Sequence, residues 1–117
     1  MTEATATKRP ARRTDPSTAV IGEVKAARKQ VGDRRMPVAG GRHPVKGRAH
    51  HVREAARWRS VEQGRELAGS PGWDSTLLTA VFTALADQDP QRTRSGLVHL
   101  AALAVAAVEA IDREATT

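Results

Sequence analysis

Threonine, alanine, glycine and histidine stand where a metal-using pair of helices needs carboxylates. Residues 77–112, "LLTAVFTALADQDPQRTRSGLVHLAALAVAAVEAID", read as two helices folded back on each other at a proline turn. The polar slots on their facing sides are Thr79, Ala80 and Thr83 on the first helix, and Gly96 and His99 on the second. Magnesium takes hard oxygen ligands, usually several carboxylates together with substrate phosphates. An antiparallel pair supplies them at spacings of three or four residues, because those positions share a face. None of these slots is acidic, so these five positions offer no anionic oxygen to a metal.

Other chemistry-bearing residues are sparse. Glu62 and Glu66 lie one turn apart and form an alternative magnesium pair, although such a pair is ordinarily a solvated face. His99 alone on an apolar helix reads as a partly buried core histidine; as a ligand it prefers zinc or nickel to magnesium. His50 and His51 diverge by about 100° on a helix and cannot easily chelate one ion, and His43 stands apart in a loop. The stretch "GGRHPVKGR" lacks the order of a phosphate-binding loop, and no strand precedes it. No nucleophile stands out with both a base and an orienting acid.

The elements that must position these residues are helical. Val20, Val24, Ala27 and Val31 recur at helical spacing, with Ser17 or Thr18 as cap and Gly32 as end. A glycine- and proline-rich loop follows. A second helix is expected from about His50 to Ala68, with Val52, Ala55, Ala56, Val61 and Leu67 as weak apolar positions and Trp58 as anchor. Asp74 is placed to cap a third helix with an inward stripe of Leu77, Leu78, Val81, Phe82 and Leu85. Asp89 and Pro90 start a fourth, running to about Arg113, with Leu97, Leu100, Ala101, Ala104, Val108 and Ile111 on one side. The expected fold is an all-α, four-helix bundle over residues 20–113, preceded by a disordered basic tail, 1–19, and followed by a short tail, 114–117.

Charge divides the chain. Residues 1–57 hold fourteen Lys or Arg against five Asp or Glu, whereas residues 58–117 hold five against eight. A basic half attracts nucleic acid, phosphate or an acidic protein surface. Its candidate contacts are Arg34, Arg35, Arg42, Lys46, Arg48, Arg53 and Arg57. There is no cysteine, which excludes disulfides and thiolate metal sites. No secretion signal is evident, and "LVHLAALAVAAVEAI" is expected to be too short and too interrupted by His99 and Glu109 to cross a membrane. A soluble cytoplasmic protein is expected. With three aromatics the core is thin, so self-association is expected to help bury apolar surface.

The stretch from Trp73 to Arg113 resembles the C-terminal half of the small MazG-like proteins of actinobacteria and their phages, members of the all-α nucleoside triphosphate pyrophosphohydrolase superfamily. The matching positions are Trp73, Val81, Ala84, Ala86, Asp89-Pro90, Arg92, Arg94, Leu97-Val98, Ala101-Ala102 and the closing "VEAID". Upstream, "EVKAARKQ" and "GGRHP" extend the resemblance to about residue 20. It implies an E-E-x-x-E motif over Thr79–Thr83 and E-x-x-D, or a Gln-ended variant, over Gly96–His99, so every ligand position is substituted. The expectation is a non-catalytic helical binding or structural module without a cofactor, contacting nucleic acid, phosphate or an acidic partner through its basic half. One alternative is a residual magnesium-dependent nucleoside triphosphate pyrophosphohydrolase; another is a protein-docking domain.

Overall fold

The computed structural model describes residues 15–115, and these residues form a helical bundle of four helices: α1 Pro16–Val31, α2 Pro44–Leu67, α3 Trp73–Ala86 and α4 Pro90–Ala115. Proline opens three of them. Its fixed φ suits the first helical position, where no amide partner is required. At α1 the Asp15 carboxylate accepts a hydrogen bond from the Ser17 amide at 3.0 Å, and at α4 Asp89 accepts one from the Gln91 amide at 3.1 Å.

Several boundaries differ from the sequence expectation. Asp15 replaces Ser17 or Thr18 as the cap, so residues 16–19 belong to α1; the rest of the expected tail, 1–14, lies outside the described residues. Helix α2 begins at Pro44 rather than His50, because that proline starts the helix instead of breaking it. Asp74 lies within the first turn of α3, after Gly72 at the cap position, and its carboxylate accepts from the Ser75 amide at 2.8 Å and from Arg65 at 2.7 Å. Helix α4 continues through residues 114 and 115. At the end of α2, Gly69 takes φ +74°, and the amides of Gly69 and Ser70 reach back to the carbonyls of Glu66 and Arg65. This left-handed turn satisfies otherwise orphaned carbonyls.

The helices are laid in a row, α2, α3, α4, α1, in which each touches only its neighbours; α2 and α4 do not meet. Such a row encloses little. Among the described apolar side chains only Val20, Ala55 and Ala84 are buried. The α2 face against α3 is half polar: His51 packs on Phe82 at 5.8 Å between ring centroids, Glu62 accepts from the Thr76 hydroxyl at 2.8 Å, and Arg65 pairs with Asp74. The expected apolar positions Val52, Ala56 and Leu67 are exposed.

The contact of α4 with α3 is rotated from the expected stripe. Gly96 lies against Ala84, and the Thr93 hydroxyl donates to the Asp87 carbonyl at 3.2 Å. Leu97, Ala101, Val108 and Ile111 are exposed. Small residues let the two backbones approach, and the bulky stripe turns away as a result. Helix α1 is tied to α4 by the Ser17 hydroxyl, which donates to Glu109 at 2.7 Å. By length and composition α4 is apolar enough to cross a membrane, with mean hydropathy 1.5 over its best window; the 26-residue helix is longer than its apolar stretch alone.

Candidate functional site

Because α3 lies between α2 and α4, one of its faces forms the floor of a cleft with the other two helices as walls. The floor is Thr76, Thr79, Ala80 and Thr83; α2 contributes Arg59 and Glu62, and α4 contributes Gly96, His99 and Leu103. The cleft has a volume of about 310 Å³. Thus Thr79, Ala80, Thr83, Gly96 and His99, singled out from sequence alone, are brought together in one place. They share a cleft because spacings of three and four residues keep them on facing sides of an antiparallel pair.

The polar groups are largely occupied within the protein. The Thr79 hydroxyl donates to the Ser75 carbonyl at 2.8 Å, one turn back along α3. Glu62 is half-buried and is held by Thr76. The Thr83 hydroxyl accepts a hydrogen bond from Arg59 at 3.3 Å. His99 is exposed at the rim, not the core histidine that its apolar neighbours suggested. Glu66 is exposed and outside the cleft lining, so the Glu62–Glu66 pair is divided between the cleft and solvent. Among the described residues no three His, Asp or Glu side chains are grouped to hold a metal ion.

Among the cleft residues, sequence reasoning missed Thr76, Leu103 and, most consequentially, Arg59. Its signal is its position three residues before Glu62, which places both on one side of α2. One carboxylate, one guanidinium and one imidazole can hydrogen-bond a polar or anionic group. They cannot supply the several anionic oxygens that neutralise magnesium beside phosphate.

The basic residues fall into two sets. Arg34, Arg35 and Arg42 lie exposed on the loop between α1 and α2. Lys46, Arg53 and Arg57, spaced seven and then four apart, share an exposed face of α2, and Arg53 also borders a groove with Ala86 and Gln88. Arg57 pairs at 3.5 Å with Glu54 and lies over the Trp58 ring at 5.6 Å. Arg48 departs from this set. It is about 200° from Lys46 around the helix and is half-buried.

At the turn from α3 to α4, the Arg92 Nε donates to both Asp87 oxygens, at 2.9 and 3.1 Å. This bond, with a further one from the Asp89 amide, holds the Asp87 carboxyl below the usual carboxylate range; Asp87 in turn raises Arg92 above its ordinary value. No family model, curated relative or solved structure matches the chain.

Proposed function

We propose that the protein is a non-catalytic, MazG-like helical module whose basic half contacts a polyanion, nucleic acid foremost. The observation that carries this is the content of the cleft. Its only acidic lining residue is Glu62, already hydrogen-bonded to Thr76, and Arg59 brings a positive charge to the place where the resembling family gathers acids. Metal-assisted phosphate chemistry depends on a bound cation to polarise oxygen and activate water. A guanidinium in that cleft opposes cation binding.

Support for the polyanion contact comes from the two exposed sets, Arg34, Arg35 and Arg42 on the loop and Lys46, Arg53 and Arg57 on α2. A cytoplasmic location accords with such a partner. The experiment has two arms. Purified protein is assayed for pyrophosphate release from common and modified nucleoside triphosphates with magnesium or manganese, and its absorbance ratio is read before and after a high-salt wash. We expect no turnover and release of bound nucleic acid in salt. Robust turnover that disappears in the Glu62→Gln, Glu66→Gln double variant overturns the non-catalytic assignment.

A homo-oligomer is part of the same proposal, supported by apolar surface left uncovered on α1 and the C-terminal half of α4. Ile21, Val24, Val108 and Ile111 are all exposed, Ile111 at 66%. Monomers seldom leave large contiguous apolar patches in water. A second copy would cover these residues without blocking the basic face of α2.

A further inference from the structure

Opposite the cleft, on the side of α3 marked by Leu85, lies a second cavity of about 650 Å³. The loop before α2 covers it with Val38, while Leu85, Leu97 and Val98 supply further apolar wall. Its volume is within the usual range for small-molecule sites. Two guanidinium groups, Arg48 and Arg94, also line it, and neither is in an ion pair among the described residues. The Nε of Arg48 is buried and has no hydrogen-bond partner. Because that Nε is closed off from solvent, the groups of Arg48 that a ligand can reach are the terminal nitrogens of the guanidinium; the same side chain also borders a neighbouring groove with Val52, Arg53 and Ala86.

Three further features favour an anion there. The carboxylate on the lining, Asp87, is already neutralised by Arg92. The first residue of α2, Pro44, stands at the cavity, so the positive end of that helix lies beside it, whereas the start of α4 is already capped by the Asp89 carboxylate. At α2 the cap residue His43 makes no side-chain hydrogen bond to the first turn. Of the neutral polar side chains on the walls, the Thr93 hydroxyl is occupied by the Asp87 carbonyl, which leaves the Gln88 amide.

We propose that this cavity binds a small amphipathic anion, an aliphatic or aromatic body ending in a single carboxylate, with Arg48 as its counter-charge and Val38, Leu85 and Leu97 around the apolar part. The site goes beyond the polyanion contact and does not use the cleft on α3. It also accounts for why Arg48, alone among the seven basic residues singled out in the sequence, turns inward.

The test is titration calorimetry of the full chain with decanoate and with decanol, repeated on Arg48→Gln and on Val38→Trp. Val38 lines the cavity from the loop before α2, outside the helix contacts, so tryptophan there is expected to reduce the cavity's volume. We expect saturable binding of one decanoate per chain, decanol weaker by about tenfold or more, a fall in affinity of about tenfold or more in Arg48→Gln, and no binding in Val38→Trp. Equal affinity for decanoate and decanol overturns the proposal, as does failure to bind decanoate or undiminished binding in Val38→Trp. If Arg48→Gln loses its helical circular dichroism, the Val38→Trp and decanol comparisons decide the matter.

Discussion

Gly96 and Ala84 hold α4 and α3 at backbone distance: a Cβ at position 96 would stand 2.8 Å from the Ala84 Cβ and 3.1 Å from its Cα. The family resemblance would put an acidic side chain at this position. Here the neighbouring helix has closed over the space it would need. The cleft therefore differs from a metal site in packing as well as in charge.

Substituting Gly96 by alanine should lower stability. Alanine gains about 1 kcal/mol in helix propensity, but overpacking against a backbone that cannot rotate aside costs about 1–3 kcal/mol. The urea midpoint is expected to fall, and to fall further for Gly96→Glu. A raised midpoint in the alanine variant would show that the two helices separate easily.

Binding of a nucleic acid should depend on salt through the exposed charges. Replacing Lys46, Arg53 or Arg57 with glutamine is expected to reduce the slope of log affinity against log salt by about one unit for each phosphate-bound charge removed. Arg48→Gln should leave that slope unchanged, because this side chain faces the cavity. Fluorescence anisotropy at several salt concentrations separates the two outcomes.

Self-association should weaken when the uncovered stripe is made polar. Burying a large aliphatic side chain contributes roughly 1.5–3 kcal/mol, so Ile111→Asp is expected to raise the dissociation constant by about tenfold or more. Sedimentation velocity over a dilution series measures this. An unchanged distribution would place the interface away from α4.

Acid should act on the turn between α3 and α4. Arg92 depresses the folded pKa of Asp87, so the stabilisation is fully present above the unfolded carboxylate value of about 3.9 and is lost as pH falls through the lower folded value. In Asp87→Asn the melting temperature should therefore decline less than in the parent between about pH 4 and pH 2. Parallel declines would mean that the pair adds nothing in water, the ordinary fate of an exposed ion pair.

The α3–α4 hairpin is legible from its residues because Asp89-Pro90 marks a helix start and its positions at helical spacing bring the cleft together. Three features are hidden for separate physical reasons. Pro44 reads as a breaker, since a proline at a first turn and a proline in a loop are the same letter. The α2 face toward α3 cannot be found from apolar periodicity because His51, Glu62 and Arg65 make much of it. The α4 contact is rotated because Gly96 and Thr93, not the leucines and valines, set how closely the helices approach. Arg59 shares one side of α2 with Glu62, a spacing present in the sequence but not marked by any apolar periodicity.

The attachment of α1 bears on how the molecule comes apart. Helices α2, α3 and α4 are joined by short turns and can close on each other locally, whereas the Ser17–Glu109 bond links positions 92 apart in the chain. Closing so long a loop carries a larger entropic cost for a single narrow contact. Helix α1 is thus expected to act as a clasp, last to fasten during folding and first to release under mild denaturant; hydrogen exchange should show its amides opening while those of α3 are still protected.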